Sequence, residues 1–119
     1  LLHAVVVHFG LAHRSRVRQV QRLADFLARQ VPPGEMLVVA GDFNDWGEKL
    51  DAPMREMGLA RASSNGALAN LTFPSRVPIF SLDRIYTRGF CCNHSFVPRG
   101  KTWARMSDHL PLIAELMPD

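Results

Sequence analysis

The residue types suited to phosphate or metal chemistry fall in three short runs: Asp42 and Asn44 in "GDFND" at 41–45, Asp83 in "LDRIY" at 82–86, and Asp108 with His109 in "SDHLPL" at 107–112. Carboxylates at the ends of apolar strands gain nothing from burial, and side by side they repel unless a cation or a proton intervenes. A divalent cation such as Mg²⁺ resolves the conflict, because it prefers oxygen ligands and keeps several waters, which leaves positions for a substrate phosphate. Asp42, Asp108 and Asp83 supply such oxygens if the fold gathers their three strand ends. Each run also has a plainer reading. "GDFND" reads as a tight turn in which Asp and Asn bond their own backbone. Asp83 beside Arg84 reads as a surface ion pair worth under about 1 kcal/mol. Asp108 and His109 read as shapers of the turn before Pro111. An EF-hand loop is excluded, because the fifth and twelfth positions counted from Asp42 are Trp46 and Pro53, which lack the required oxygens.

These runs need elements to carry them. "HAVVVHF" at 3–9 is rich in β-branched residues and ends near Gly10, which predicts a buried strand with His8 at its C-terminal end. Between 15 and 30, Val17, Val20, Leu23, Ala24 and Leu27 recur at three- and four-residue spacing while Arg14, Arg18 and Arg22 form another stripe. This predicts an amphipathic helix closed by "PPG" at 32–34. "MLVVAG" at 36–41 lacks alternation and predicts a strand covered on both faces, as in layered α/β proteins. A shorter helix is predicted over about 50–57, with Pro53 in its first turn. From 63 to 82 the composition turns to Ser, Asn, Gly and Pro, which predicts a long irregular segment, and "TFPS" with Arg76 is expected to border the pocket. Segments 82–89 and 91–97 read as short strands, a hairpin around Gly89 being one arrangement open to them. Residues 104–116 read as a polar turn leading into a last strand from about Leu112.

Together the runs form a constellation. With "VVVHFGL" at 5–11 as a fourth element, the set resembles the endonuclease/exonuclease/phosphatase superfamily, which includes pancreatic-type deoxyribonuclease, exonuclease III-like repair nucleases, neutral sphingomyelinases and inositol polyphosphate 5-phosphatases. The resemblance runs from residue 3 to residue 116 in the family's order. It implies an α/β fold, half of a four-layer α/β sandwich of the deoxyribonuclease I type, with a mostly antiparallel or mixed sheet and covering helices. It implies roles as well. Asp42 would orient or deprotonate the attacking water and share the metal with Asp108, and Asn44 would donate to a phosphate oxygen. His109 would contact the scissile phosphate, with Asp83 accepting from its other ring nitrogen, and His8 would stand on the opposite side of the phosphate. His8 also reads as a satisfied core histidine. The cofactor implied is Mg²⁺ or Mn²⁺, and the substrate a phosphodiester, in a nucleic acid or a phospholipid head group, cleaved by direct attack of water. The competing function is a non-catalytic phosphate-binding or interaction module.

The remaining sequence sets bounds. At 119 residues the chain is one domain at most, and an apolar fraction of 47% with 21% charged residues excludes disordered and fibrous classes. A net charge of +3 suits a partner with phosphates. The cysteines, Cys91 and Cys92, are adjacent and cannot close a useful loop, which fits a reducing, cytoplasmic compartment. No apolar run reaches the ~20 residues of a membrane span, and the start is unlike a signal peptide. His3, His13 and His94 carry no expected catalytic role. The arginine stripe reads as a solvated helix face, and Trp46 and Trp103 read either as stacking platforms or as loop anchors. Members of the superfamily run to about twice this length, so residues 1–119 are expected to be the C-terminal portion of one such domain. Without the N-terminal half, which supplies the main metal-binding glutamate, one sheet face should stand exposed and invite that half or self-association.

Overall fold

The computed structural model describes residues 1–63 and 70–119. Val5, Val6 and Val7 are stiff, β-branched residues that favour extended backbone, and they lie in β1 (Leu2–His8). Helix α1 (His13–Gln30) follows, starting two residues earlier than the spacing predicts, and buries Val20, Leu23 and Leu27 while Arg14, Arg18 and Arg22 stay exposed. Arg16 on the same helix is buried, its guanidinium capping the Leu11 carbonyl. Two prolines end the helix by removing donors, and β2 (Met36–Asp42) returns beside β1 in parallel, with Leu2 opposite Met36 and His8 opposite Asp42.

Helix α2 (Asp51–Glu56) carries Pro53 in its first turn, as expected. Strands β3 (Ala60–Arg61) and β4 (Asp83–Arg88) add antiparallel neighbours, so the sheet is mixed, in the order β1-β2-β4-β3. The core lies under the helices, where Leu37 and Val39 are fully buried and Phe43 stacks edge-on between Phe9 and Tyr86 at 5.1 Å from each. Each such side chain contributes about 1.5–3 kcal/mol.

Several expectations need correction. β2 is covered on one face only: Val38 and Ala40 are half-buried and neighbouring Val6 is 85% exposed, because both helices pack on the opposite face. The face expected to stand open is therefore open. The two strands around Gly89 do not form a hairpin. β5 (Phe90–Phe96) pairs instead with β6 (Ile113–Pro118) in a separate two-stranded sheet, and the chain changes sheets at Gly89, whose φ of +87° and tight approach to Met36 favour a residue without Cβ. The polar turn expected from 104 begins only at Ser107, because Ala104, Arg105 and Met106 belong to a short helix, α3 (Lys101–Met106). Residues 70–82 are irregular as expected, apart from a bridge between Phe73 and Phe80, and the 64–69 part of that predicted segment lies outside the described residues. Among the described residues no helix is long and apolar enough to cross a membrane.

Candidate active site

Strand register alone brings three candidate side chains to one place. His8 is the in-register neighbour of Asp42 on β1, and Asp83 is its neighbour on β4. Paired residues of adjacent strands project to the same side of a sheet. All three therefore rise from the face opposite the helices, at one end of the sheet. Gly41 makes this possible, because its backbone runs so close to β1 that a Cβ would lie 1.9 Å from the Val7 carbonyl oxygen.

The turn at 107–109 is held over that end by the irregular segment. The Ser75 amide donates to the Asp108 carbonyl at 2.8 Å and the Leu110 amide to the Thr72 carbonyl at 2.8 Å. His109 then points at both carboxylates. Its Nδ1 lies 2.6 Å from Asp83 Oδ2 and its Nε2 lies 3.7 Å from Asp42 Oδ2. A carboxylate only accepts, so Nδ1 carries the proton toward Asp83. The same Asp83 oxygen accepts from the buried Thr72 hydroxyl at 2.6 Å, which holds it in place. Burial pushes the His109 pKa down, but the hydrogen bond and charge of Asp83, joined by Asp42 and Asp108, outweigh it and hold His109 above the ordinary histidine value. Phe73 packs against the imidazole at 4.8 Å, and Trp46 packs edge-on against Phe73 and Phe80, anchoring its loop.

The "GDFND" turn is built as an Asx turn: Asp42 Oδ1 accepts from the Asn44 amide at 2.9 Å. Asn44 takes a left-handed φ of +47°, a conformation asparagine tolerates. Its side-chain amide donates to the Phe9 carbonyl at 2.6 Å, tying β1 to the turn. Asp45 lies beneath. It accepts from the Lys49 and Leu50 amides and from Arg84 Nη1 at 2.8 Å, and both ionic side chains are essentially sealed, at 2% and 0% exposure. Burial opposes ionisation of Asp45, yet these donors and the arginine charge keep its pKa below the usual carboxylate value. Arg84 is therefore no surface partner of Asp83. Tyr86 extends the network to Asp51 at 2.5 Å.

Asp42, Asp83 and His109 thus converge, with one ligand atom from each lying within 4.8 Å of the others. His8 is near but exposed, its Nε2 3.8 Å from Asp42. Asn44 is close in sequence but buried, and Asp108 is exposed, with its carboxylate 3.5 Å from the Ser107 hydroxyl and outside the group of three. The sequence reading missed Thr72, and it missed Asp45 and Arg84 as the pair under the turn. A buried threonine has no periodic signature, although "TFPS" had been placed at the pocket's edge. Two carboxylates standing opposite each other, with Asp108 at the rim, are a donor set that a hard divalent cation accepts, so the residues present fit such an ion.

Residues 2–109 match the Endonuclease/Exonuclease/phosphatase family. The protein YbhP of Escherichia coli strain K12 is 37% identical over 118 residues, covering 97% of this chain and 46% of YbhP. The chain thus spans about half the length of the curated relatives it matches. In structure it is similar to a functionally unknown conserved protein from Enterococcus faecalis V583, with a TM-score of 0.80 and 19% identity over 98% of this chain and 50% of that one. A humanized D. rerio TDP2 gives a TM-score of 0.71 and 16% identity over 98% of this chain and 55% of that one.

Proposed function

The chain belongs to the endonuclease/exonuclease/phosphatase family and has its deoxyribonuclease I-like α/β fold; on that premise we propose that residues 1–119 are the C-terminal portion of one such domain, and that the whole domain is a divalent-metal-dependent phosphodiesterase acting by direct attack of water. The observation that carries the reading is the convergence of Asp42, Asp83 and His109 from separate segments on one end of the sheet.

A phosphate diester resists nucleophiles because it is an anion, and its transition state gathers more charge on the non-bridging oxygens. Mg²⁺ or Mn²⁺ held by Asp108 and Asp42 would neutralise part of that charge. Asp42 orients the attacking water and accepts its proton. His109, protonated through its pairing with Asp83, donates to a phosphate oxygen, an effect typically worth about 10²- to 10⁴-fold. His8 stands across Asp42 from β1 and contributes a second imidazole to the phosphate. The Asn44 amide has two hydrogens; one is committed to Phe9, and the other is the donor assigned to the phosphate. None of these groups is placed as a covalent nucleophile.

The exposed apolar face around Leu2, Ala4 and Val6 is assigned to the rest of the same domain, since the relatives are about twice as long. The test uses the full-length protein on plasmid DNA, abasic duplex, sphingomyelin, phosphoinositides and bis-p-nitrophenyl phosphate, with Mg²⁺, Mn²⁺ or EDTA. Metal-dependent hydrolysis that Asp42→Asn abolishes, without change in the circular dichroism spectrum, is expected. Near wild-type turnover by the metal-loaded Asp42→Asn protein would end the assignment.

A further inference from the structure

A second feature lies beside the site. The 74–78 segment and α3 enclose a cleft of about 400 Å³ lined by Ser75, Arg76, Arg99, Gly100, Lys101 and Arg105, among others. Four of its side chains are cationic and none is acidic. Elsewhere the fold spends its inward-facing arginines on partners: Arg61 on Glu48 and Asp51, Arg84 on Asp45, Arg88 on the Pro32 and Glu35 carbonyls. Among the described residues no ion pair engages Arg76, Arg99, Lys101 or Arg105, and all four are exposed. The residues outside the description, 64–69, include no acid. Four like charges converging on one concavity repel one another, a cost that an anion reverses.

The cleft shares Ser75, Arg76, Ala104 and Arg105 with a neighbour that lies toward the catalytic cluster in the chain. This adjoining cavity is lined by Ser75, Arg76 and residues 104–108, ending at Asp108, one residue before His109. Ser75 lines both cavities, and its amide donates to the Asp108 carbonyl. A substrate whose scissile phosphate lies against His109 and Asp42 would meet this wall by extending past Asp108.

We propose that the Arg76, Arg99, Lys101 and Arg105 cleft binds a second phosphate of the substrate, so that the preferred diester carries at least one phosphate beyond the one cleaved. This rests on the phosphodiesterase reading for its catalytic part. A guanidinium grips phosphate in bidentate fashion, while an ammonium acts as a point charge. The second phosphate can belong to a nucleotide strand or to a phosphorylated polyol; the cleft chemistry is shared.

The experiment uses full-length protein carrying Arg76→Gln, Arg99→Gln, Lys101→Gln and Arg105→Gln together, checked for an unchanged circular dichroism spectrum. Substrates are bis-p-nitrophenyl phosphate, with one phosphate, a 5′-phosphorylated thymidine dinucleotide, and a polyol diester bearing a second phosphate. Loss of charge-assisted contacts should raise KM for at least one two-phosphate substrate about tenfold or more, with bis-p-nitrophenyl phosphate changed less than about twofold. Which of the two suffers more identifies the source of the phosphate. An equal loss on all three substrates would overturn the proposal. Calorimetric binding of inorganic pyrophosphate in EDTA separates this from failure of the hydrolytic reading: wild type and Asp42→Asn should bind, and the four-fold variant should bind about tenfold more weakly. Unchanged affinity in that variant sinks the cleft even if hydrolysis is found. Should the variant fail to fold, Arg99→Gln with Lys101→Gln is read the same way, against Arg99→Lys as the charge-retaining control.

Discussion

Asp42 and Asp83 stand directly opposite each other across the β2–β4 ladder, and His109 reaches both, 2.6 Å from Asp83 and 3.7 Å from Asp42. Like charges in that position destabilise a sheet. A proton on the imidazole between them offsets the repulsion, and the two carboxylates in turn raise the His109 pKa above the ordinary histidine value.

That coupling gives a pH signature. The folded pKa of His109 is raised, so its contribution to stability is complete below the unfolded value of about 6.5 and is lost as pH rises through the folded value. The thermal midpoint gap between wild type and His109→Gln should be larger near about pH 5 than near about pH 9. A gap that widens toward alkaline pH would contradict this assignment of charge.

Thr72 acts through Asp83. With its hydroxyl removed by Thr72→Val, Asp83 loses one of two donors on the same oxygen, and the tilt of His109 is no longer fixed. Support of this kind is commonly worth about 10- to 100-fold. On a diester substrate, kcat should fall by about tenfold with KM within about threefold, and Thr72→Ser should restore most of it. Equal kcat for the valine and serine variants would show that the hydroxyl only fills space.

The Asp45–Arg84 pair is sealed from water. Removing Asp45 takes from buried Arg84 its nearest counter-charge and leaves only Glu48 and Asp51 at 3.7 and 3.9 Å, so Asp45→Ala should destabilise the fold by about 3 kcal/mol in denaturant titration. Asp45→Leu combined with Arg84→Met should recover much of that loss, because it removes both charges. A double variant as unstable as Asp45→Ala would mean that the pair's bonds to the Lys49 and Leu50 amides matter more than its charge.

Gly41 sets how closely β1 and β2 approach beneath the site. Its φ of +145° disfavours any side chain, and a Cβ there collides with the Val7 carbonyl, so Gly41→Ala should cost more than about 4 kcal/mol. Gly34, with open space around it, is the control: Gly34→Ala should change stability by less than about 0.5 kcal/mol. Hydrogen exchange of the β1 and β2 amides in the two variants locates the damage.

Much was legible in the residue order. Runs of β-branched residues and three- and four-residue spacing report local geometry, so β1, α1, β2 and α2 were read within a few residues of where they lie. The acidic turns stood out because carboxylates after apolar strands are costly without a partner. Pairing was not legible: 82–89 and 91–97 fit a hairpin as well as two sheets, since a strand's sequence records its alternation and not its neighbour. The short helix at 101–106 had too few apolar positions to show a period.

The sequence by itself determined the α/β class, the helices that bury the core and the residue types able to handle a phosphate, because these depend on side-chain chemistry and on neighbours three or four positions away. Only the tertiary structure decided that Asp42 faces Asp83, that Arg84 turns inward to Asp45, that Thr72 steadies the site and that four cations line one cleft. Those relations join residues up to 41 positions apart, Asp42 and Asp83. Strand register and the path of an irregular segment set them, and neither leaves a repeat in the chain that could be read beforehand.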